Sequence, residues 1–208
     1  MKNKVHNEYA FDQDISQIIL GGIEEIVGEE ELQELLIKNE IPFEKDKNNN
    51  TCLTRALSFK ELNKLESSLV DLFGETGCRG AALRSGRSFF MGFYRLYGIQ
   101  TGLNTLEYRM LPLKKRIQTG LERISGWLTD TTDINFEVND DDQKWYWVLE
   151  KDFNQGEIED CHLTLYDFTI GMLQGYLAWA SGGKYYPVQK CEDNPSDLII
   201  EIEKNAIG

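Results

Sequence analysis

The sequence lacks most of the patterns that indicate a catalytic site. It contains no GxGxxG after a predicted strand and no GxxxxGK[ST], so neither a dinucleotide site nor a nucleoside triphosphate site is indicated. Histidine occurs only at His6 and His162. His162 adjoins Cys161, but neighbours on a helix point about 100° apart, so adjacency does not make a nucleophile–base pair. The absence of these motifs favours a protein that is not an enzyme, but it leaves catalytic activity an open question.

Basic residues are also scarce. The 208-residue chain has 22 Lys and Arg against 35 Asp and Glu, a net charge of −13. This balance argues against nucleic acid as a partner, because phosphate binding needs a basic face. No window approaches the roughly 18 consecutive apolar residues of a membrane span. We therefore expect a cytoplasmic protein, or one peripheral to a membrane through a partner.

The cysteines are few and widely spaced. Cys52, Cys78, Cys161 and Cys191 form no CxxC pair, which is typical of free thiols in a reducing compartment. Cys161, His162 and Cys191 are weak candidates for a zinc site if the chain brings them together. Nothing in their spacing requires a metal, and we expect none to be tightly held.

Hydrophobic periodicity predicts helices first and strands afterwards. A capping box at Ser58 and Glu61 opens a helix that Gly74 and Gly77 are expected to break. Apolar residues alternate with polar ones in the second half, which indicates a hairpin. The predicted fold class is α+β, a helical layer packed on an antiparallel sheet. The predicted helices cover 15–27, 29–38, a helix opening at Ser58, 79–97, a helix starting near Pro112 and 163–180; the predicted strands cover 134–138, 145–149, 184–190 and 198–203.

Two segments are unusually rich in glycine and aromatic residues. The stretch 79–98 interleaves small residues, arginines and aromatics, and Gly171 and Gly175 lie one turn apart in the last helix. Each glycine costs a helix about 1 kcal/mol relative to alanine, so something must pack closely against these backbones. Another helix, a partner chain or a flat ligand would each explain them.

Three segments carry a resemblance to a known family. They are GAALRSGRSFFMGFYRLYG, then LPLKKRIQTGLERI, then CHLTLYDFTIGMLQGYLAWASGGKYYPVQKCE. Together they resemble the 4-vinyl reductase domain family over roughly residues 77–202. The resemblance implies a fold like that of the TRAPP small subunits and of haem-type nitric-oxide sensors. It divides the chain into a helical extension, 1–57, and a ligand-binding domain, 58–208.

The resemblance also implies a function. The expected role is non-enzymatic binding of a hydrophobic or planar small molecule, with a tetrapyrrole such as chlorophyll or its precursor as the candidate cofactor, in pigment handling or photosystem assembly. A homodimer and a protein partner in that assembly are implied as well. Two alternatives remain open: a reductase or accessory subunit acting on a tetrapyrrole vinyl group, and a scaffold using the fold for protein contacts. The family's further cysteine before the last strand is absent here.

The predicted ligand site lies between the helix of 79–97 and the helix of 163–180. One wall is an aromatic stripe, the other an aromatic and thioether stripe, and two glycines leave room for a planar group. Two arginines would meet ligand carboxylates. The same aromatics would equally serve as packed core. The predicted site residues are Phe89, Phe93 and Tyr97 on one wall, Met172, Tyr176 and Trp179 on the other, the glycines Gly171 and Gly175, and the arginines Arg84 and Arg87.

Overall fold

A computed structural model describes residues 13–131, 135–150, 162–191 and 198–207. Six helices and six strands occur in this part of the chain. The helices are α1 (Gln13–Val27), α2 (Glu29–Lys38), α3 (Phe59–Tyr97), α4 (Leu106–Arg109), α5 (Leu113–Thr131) and α6 (His162–Ser181). The strands are β1 (Phe43–Lys45), β2 (Thr51–Leu53), β3 (Asn135–Asp140), β4 (Lys144–Glu150), β5 (Val188–Lys190) and β6 (Leu198–Glu203).

Helix α3 starts and bends where glycine and capping chemistry dictate. The Ser58 side chain accepts the Glu61 N–H, and the Glu61 carboxylate accepts the Ser58 N–H, which confirms the capping box. Gly74 has φ 68° and ψ 171°, outside the helical region, and kinks the helix there. Gly77 stays helical, so the prediction of a break at both glycines was wrong for Gly77.

Short elements were missed by periodicity. Residues 46–50 are the turn of the β1–β2 hairpin, and α4 is a single turn after the loop of 98–104. Strand β5 covers only the end of the predicted 184–190. Each element is three or four residues long, too short to show a period. The residue types of Asp193, Asn194 and Pro195 favour a turn before the last strand, but these residues lie outside the described ones.

The larger sheet has four antiparallel strands in the order β3-β4-β6-β5. In its register Trp145 pairs with Ile202 and Trp147 pairs with Ile200. These four side chains are buried, so one face of the sheet closes the core against the helices. The α+β prediction is confirmed.

Helix α3 forms the centre of the helical layer. It packs against α1 on one side and against α6 on the other, while α5 packs on β3. The division of the chain at residue 57 stays a prediction. None of the described helices is long and apolar enough to cross a membrane.

Candidate functional site

The two predicted arginines lie in a groove between α1 and α3, together with a third arginine. Arg84, Arg87 and Arg95 line one side of α3, and the exposed thioether of Met91 lies among them. The groove has a volume of about 620 Å³ and is open to solvent. The α1 wall consists of Ile18, Gly21, Gly22 and Glu25.

Small residues set the distance between the two helices. A Cβ on Gly22 would come 3.0 Å from the Ser85 carbonyl oxygen, and one on Gly92 would come 2.7 Å from Cγ2 of Ile18. At these two points the helices touch. At Gly21 a Cβ would meet nothing within 4 Å. The groove therefore opens over Gly21, beside a tightly packed crossing.

The groove carries positive charge in an acidic protein. Within the described part of the chain no salt bridge involves Arg84, Arg87 or Arg95. Arg87 donates from Nε and Nη2 to the amide oxygen of Gln174, at 3.1 and 2.8 Å, which fixes its guanidinium. Glu25 is the one carboxylate in the groove lining. Three cations against one anion leave an excess of two positive charges.

The two predicted aromatic walls do not face each other. Phe89, Phe93 and Tyr97 do form one stripe, with centroids 6.1 and 5.7 Å apart along it. Phe93 and Tyr97 pack on Trp127 of α5, at 5.0 and 4.3 Å. The residues of the opposite wall lie elsewhere: Tyr176 contacts Phe90 at 5.6 Å, Trp179 contacts Tyr94 at 4.6 Å, and Met172 is buried in α6.

The space predicted for a planar group is filled by backbone. A Cβ on Gly171 would overlap the Leu83 carbonyl oxygen, and one on Gly86 would overlap that of Phe168. At Gly175 a Cβ would lie 3.3 Å from Cα of Arg87. The glycines thus let α3 and α6 touch and do not hold them apart. The role of the aromatic walls and of Gly171 and Gly175 as ligand contacts stays a prediction, and the packing gives it no support.

A buried polar pair lies next to the aromatic cluster. The hydroxyls of Tyr108 and Tyr176 are 3.0 Å apart, and Tyr176 also donates to the Ile117 carbonyl at 2.7 Å. Burial raises the pKa of Tyr176 well above its usual value and raises the pKa of Tyr108. Both phenols are therefore neutral at physiological pH and serve as packing with satisfied polar ends.

The candidate zinc ligands are only partly described. Cys191 is half-buried, whereas Cys161 and the side chain of His162 lie outside the described residues. Among the side chains that the structure places, no group of three potential metal ligands forms. Cys78 is buried elsewhere, and burial, with Glu66 and Asp167 nearby, raises the pKa of its thiol to about 11. The described residues therefore give no support to a zinc site at Cys161, His162 and Cys191.

Sequence reasoning missed the α1 side of the groove and Arg95. The signal was present in α3, because residues 84, 88, 91 and 95 share one helical face and all line the groove. What periodicity does not provide is the identity of the helix packed against that face.

Solved structures of other proteins share the fold of this chain. No family model matches the chain, and no curated protein matches it. An H-NOX structure solved to probe heme distortion in that family superposes with a TM-score of 0.61 at 12% identity, covering 94% of this chain and 96% of that one. An H-NOX domain from T. tengcongensis gives 0.58 at 13%, with 91% and 96% covered. An oxygen-binding H-NOX domain related to soluble guanylate cyclases gives 0.55 at 12%, with 92% and 94% covered.

These matches correct the family assignment. The 4-vinyl reductase resemblance was wrong, since no model of that family matches and the solved structures that share the fold are H-NOX domains. The chlorophyll and photosystem-assembly roles rested on that resemblance and were therefore wrong as well. At this level of identity the similarity establishes the fold alone.

The described residues do not fit the haem that is studied in some of these H-NOX structures. Haem iron takes His, Cys, Met or Tyr as axial ligand. No histidine side chain is described, the Tyr176 hydroxyl is committed to carbonyl oxygens, and the raised pKa of Cys78 disfavours a thiolate. The thioether of Met172 remains, but its helix lies directly on α3. None of these described groups is a ready axial ligand, and the α3–α6 interface leaves no planar space.

We expect purified protein to bind hemin only non-specifically, with no defined site. Equimolar hemin should give a broad Soret band with no saturation at one per chain, because the interior is filled by aromatic rings. Absorbance titration checks this, with His162→Ala as the control for a ligand outside the described side chains. A sharp, saturating band that His162→Ala abolishes would contradict the expectation.

Proposed function

We propose that this domain binds an anionic small molecule with an apolar body in the α1–α3 groove, without converting it chemically. The observation that carries the proposal is the set of three arginines, Arg84, Arg87 and Arg95, left without carboxylate partners among the described residues of a chain with net charge −13. Among the arginines of the described residues only Arg55 and Arg79 form salt bridges. What sets the three groove arginines apart is that they share one groove whose lining has a single carboxylate, which favours an external anion.

The arginines suit a carboxylate, sulfonate or phosphate group. A guanidinium offers a planar fork of donors that binds two oxygens at once, and it keeps its charge at every physiological pH. The bonds from Arg87 Nε and Nη2 to Gln174 hold that guanidinium in place and leave its Nη1 side for a ligand. Preorganisation of this kind lowers the entropic cost of binding.

The rest of the groove suits an apolar body. Ile18 and Met91 supply apolar surface, and Gly21 leaves the wall of α1 open. A methionine side chain adapts to ligands of different shape because it is unbranched and polarizable. The volume of about 620 Å³ falls in the range of small-molecule sites, roughly 300–1,000 Å³.

The fold comparison supports a ligand-binding role by analogy only. One matched structure was solved to probe heme distortion in the H-NOX family, and another is an oxygen-binding H-NOX domain. Function resides in sites and not in folds, so the ligand class here follows from the groove. Neither a tetrapyrrole nor a reductase role is kept.

An anionic fluorescent probe tests the proposal. We expect 8-anilinonaphthalene-1-sulfonate to bind with a saturable fluorescence increase, and Arg84→Gln and Arg95→Gln each to weaken it about tenfold, which corresponds to about 1.4 kcal/mol. Lys47→Gln and Lys184→Gln remove exposed charges elsewhere and should leave the affinity unchanged. Uncharged Nile red separates apolar from anionic recognition, because the arginine substitutions should leave its affinity unchanged. Equal sulfonate affinity in all four variants would refute the proposal.

The predicted homodimer and the scaffold alternative remain proposals. Two of the α3 glycines that motivated the dimer are used within the chain, Gly92 against α1 and Gly86 against α6, whereas Gly80 contacts neither helix. The chain from the end of α3 to the end of α4 carries four exposed apolar side chains that a second copy could cover. They are Leu96, Ile99, Leu106 and Met110.

A further inference from the structure

A second cavity lies between the start of α5 and the sheet, away from the α1–α3 groove. It has a volume of about 390 Å³ and is lined by Lys114, Lys115, Gln118, Thr119 and Glu122 of α5, and by Trp145 and Lys204. Trp145 is 1% exposed and forms part of the wall. The cavity thus combines lysines with a buried aromatic residue.

The indole N–H of Trp145 has no acceptor. Its Nε1 is buried and makes no hydrogen bond in the structure. Buried indole donors usually find a partner, because an unpaired one costs about 1–3 kcal/mol of desolvation. Trp147 has the same unpaired indole nitrogen but does not line the cavity, so Trp145 differs in bordering a lysine-lined space that an external acceptor can enter.

The charges around the cavity also favour an anion. Lys204 donates to the Asp140 carboxylate at 2.6 Å, so its charge is compensated. Glu122 accepts from Gln118 at 3.2 Å. Lys114 and Lys115 form no salt bridge within the described ranges. Two lysines against one glutamate leave the cavity with a net positive charge.

The position of the two lysines strengthens this point. They lie in the first turn of the 19-residue helix α5, which has no acidic residue there. Cations at a helix N-terminus oppose the helix dipole, which favours negative charge at that end. A bound anion would compensate the lysines and the dipole together.

We infer that this cavity binds a small oxyanion, a phosphate or carboxylate group, with Lys114 and Lys115 supplying charge and Trp145 a buried N–H donor. The site is independent of the α1–α3 groove, from which it shares no lining residue. An oxyanion has enough lone pairs to accept from the indole and from both ammonium groups at once. The site therefore selects for compact charge, whereas the groove offers apolar surface as well.

The indole N–H gives a direct readout by nuclear magnetic resonance. In ¹⁵N-labelled protein, millimolar inorganic phosphate or acetate, titrated at constant ionic strength, should shift the Trp145 indole resonance in a saturable manner. The two anions distinguish a phosphate site from a carboxylate site. Trp147 provides an internal control, since its Nε1 is also buried without a partner but does not line the cavity.

Substitutions separate a site from a general salt effect. A bound anion should also raise the melting temperature of the protein. Trp145→Phe should abolish this rise, whereas Trp147→Phe should retain it. Lys114→Gln combined with Lys115→Gln should weaken the resonance shift at least fivefold, and Gly21→Leu, which fills only the groove, should leave it unchanged. The inference is overturned if neither anion moves the Trp145 resonance, or if Trp145→Phe retains the full thermal response.

Discussion

Gly86→Ala should lower the free energy of unfolding by about 3 kcal/mol, the upper part of the range for overpacked interiors. The new Cβ would overlap the Phe168 carbonyl oxygen and lie 2.7 Å from the Met172 amide nitrogen. Both atoms belong to the backbone of α6, which cannot move without separating the two helices. Chemical denaturation measures the loss.

Gly80→Ala is the matched control in the same helix. Its Cβ would meet nothing within 4 Å, so the higher helix propensity of alanine should stabilise the protein by up to about 1 kcal/mol. Two identical substitutions, six residues apart in α3, should therefore have opposite signs. If Gly86→Ala is instead neutral, α3 and α6 are not in backbone contact in solution, and the planar site predicted between them is open again.

Gly21→Leu should abolish probe binding in the α1–α3 groove while leaving the protein as stable as before or more so. A side chain at this position extends into the groove, where a Cβ meets no atom within 4 Å. Replacing glycine inside a helix adds up to about 1 kcal/mol of stability. We expect the affinity for anilinonaphthalene sulfonate to fall at least tenfold, measured by fluorescence titration.

Gly126→Leu is the control for helix propensity. Gly126 is an exposed position of α5 where a Cβ also meets nothing within 4 Å. It should show the same gain in melting temperature and normal probe affinity. Unchanged affinity in Gly21→Leu would mean that the probe binds outside the groove, and the proposed function would lose its site.

Local sequence signals predicted the longer elements well. The capping box at Ser58 starts α3, and Leu121, Ile124 and Leu128 form the buried stripe of α5. Alternation at Trp145 and Trp147 placed β4 in a hairpin. In each case the signal and the structure depend on neighbours within a few residues, so the pattern carries the information. The three- and four-residue elements had no pattern to carry it.

The candidate site shows where this reasoning stops. Phe89, Phe93 and Tyr97 share a stripe on α3, as their spacing predicts, but spacing does not say that Trp127 covers part of it. Arg84 and Arg87 were taken as facing α6, but both line the groove against α1, and only Arg87 also reaches α6, through its bonds to Gln174. A helix has several faces, and each one needs a partner from a distant part of the chain.

The sequence alone determined the α+β class, the acidic charge, the large helices and the larger strands, because composition, capping and periodicity are local properties. Only the tertiary structure decided that glycines close the α3–α6 interface, that three arginines open onto α1, and that the indole of Trp145 is left without an acceptor. These features depend on which surfaces meet after the chain folds. Contacts between residues far apart in the chain have no signature in a single sequence, and they set the shape and charge of both candidate sites.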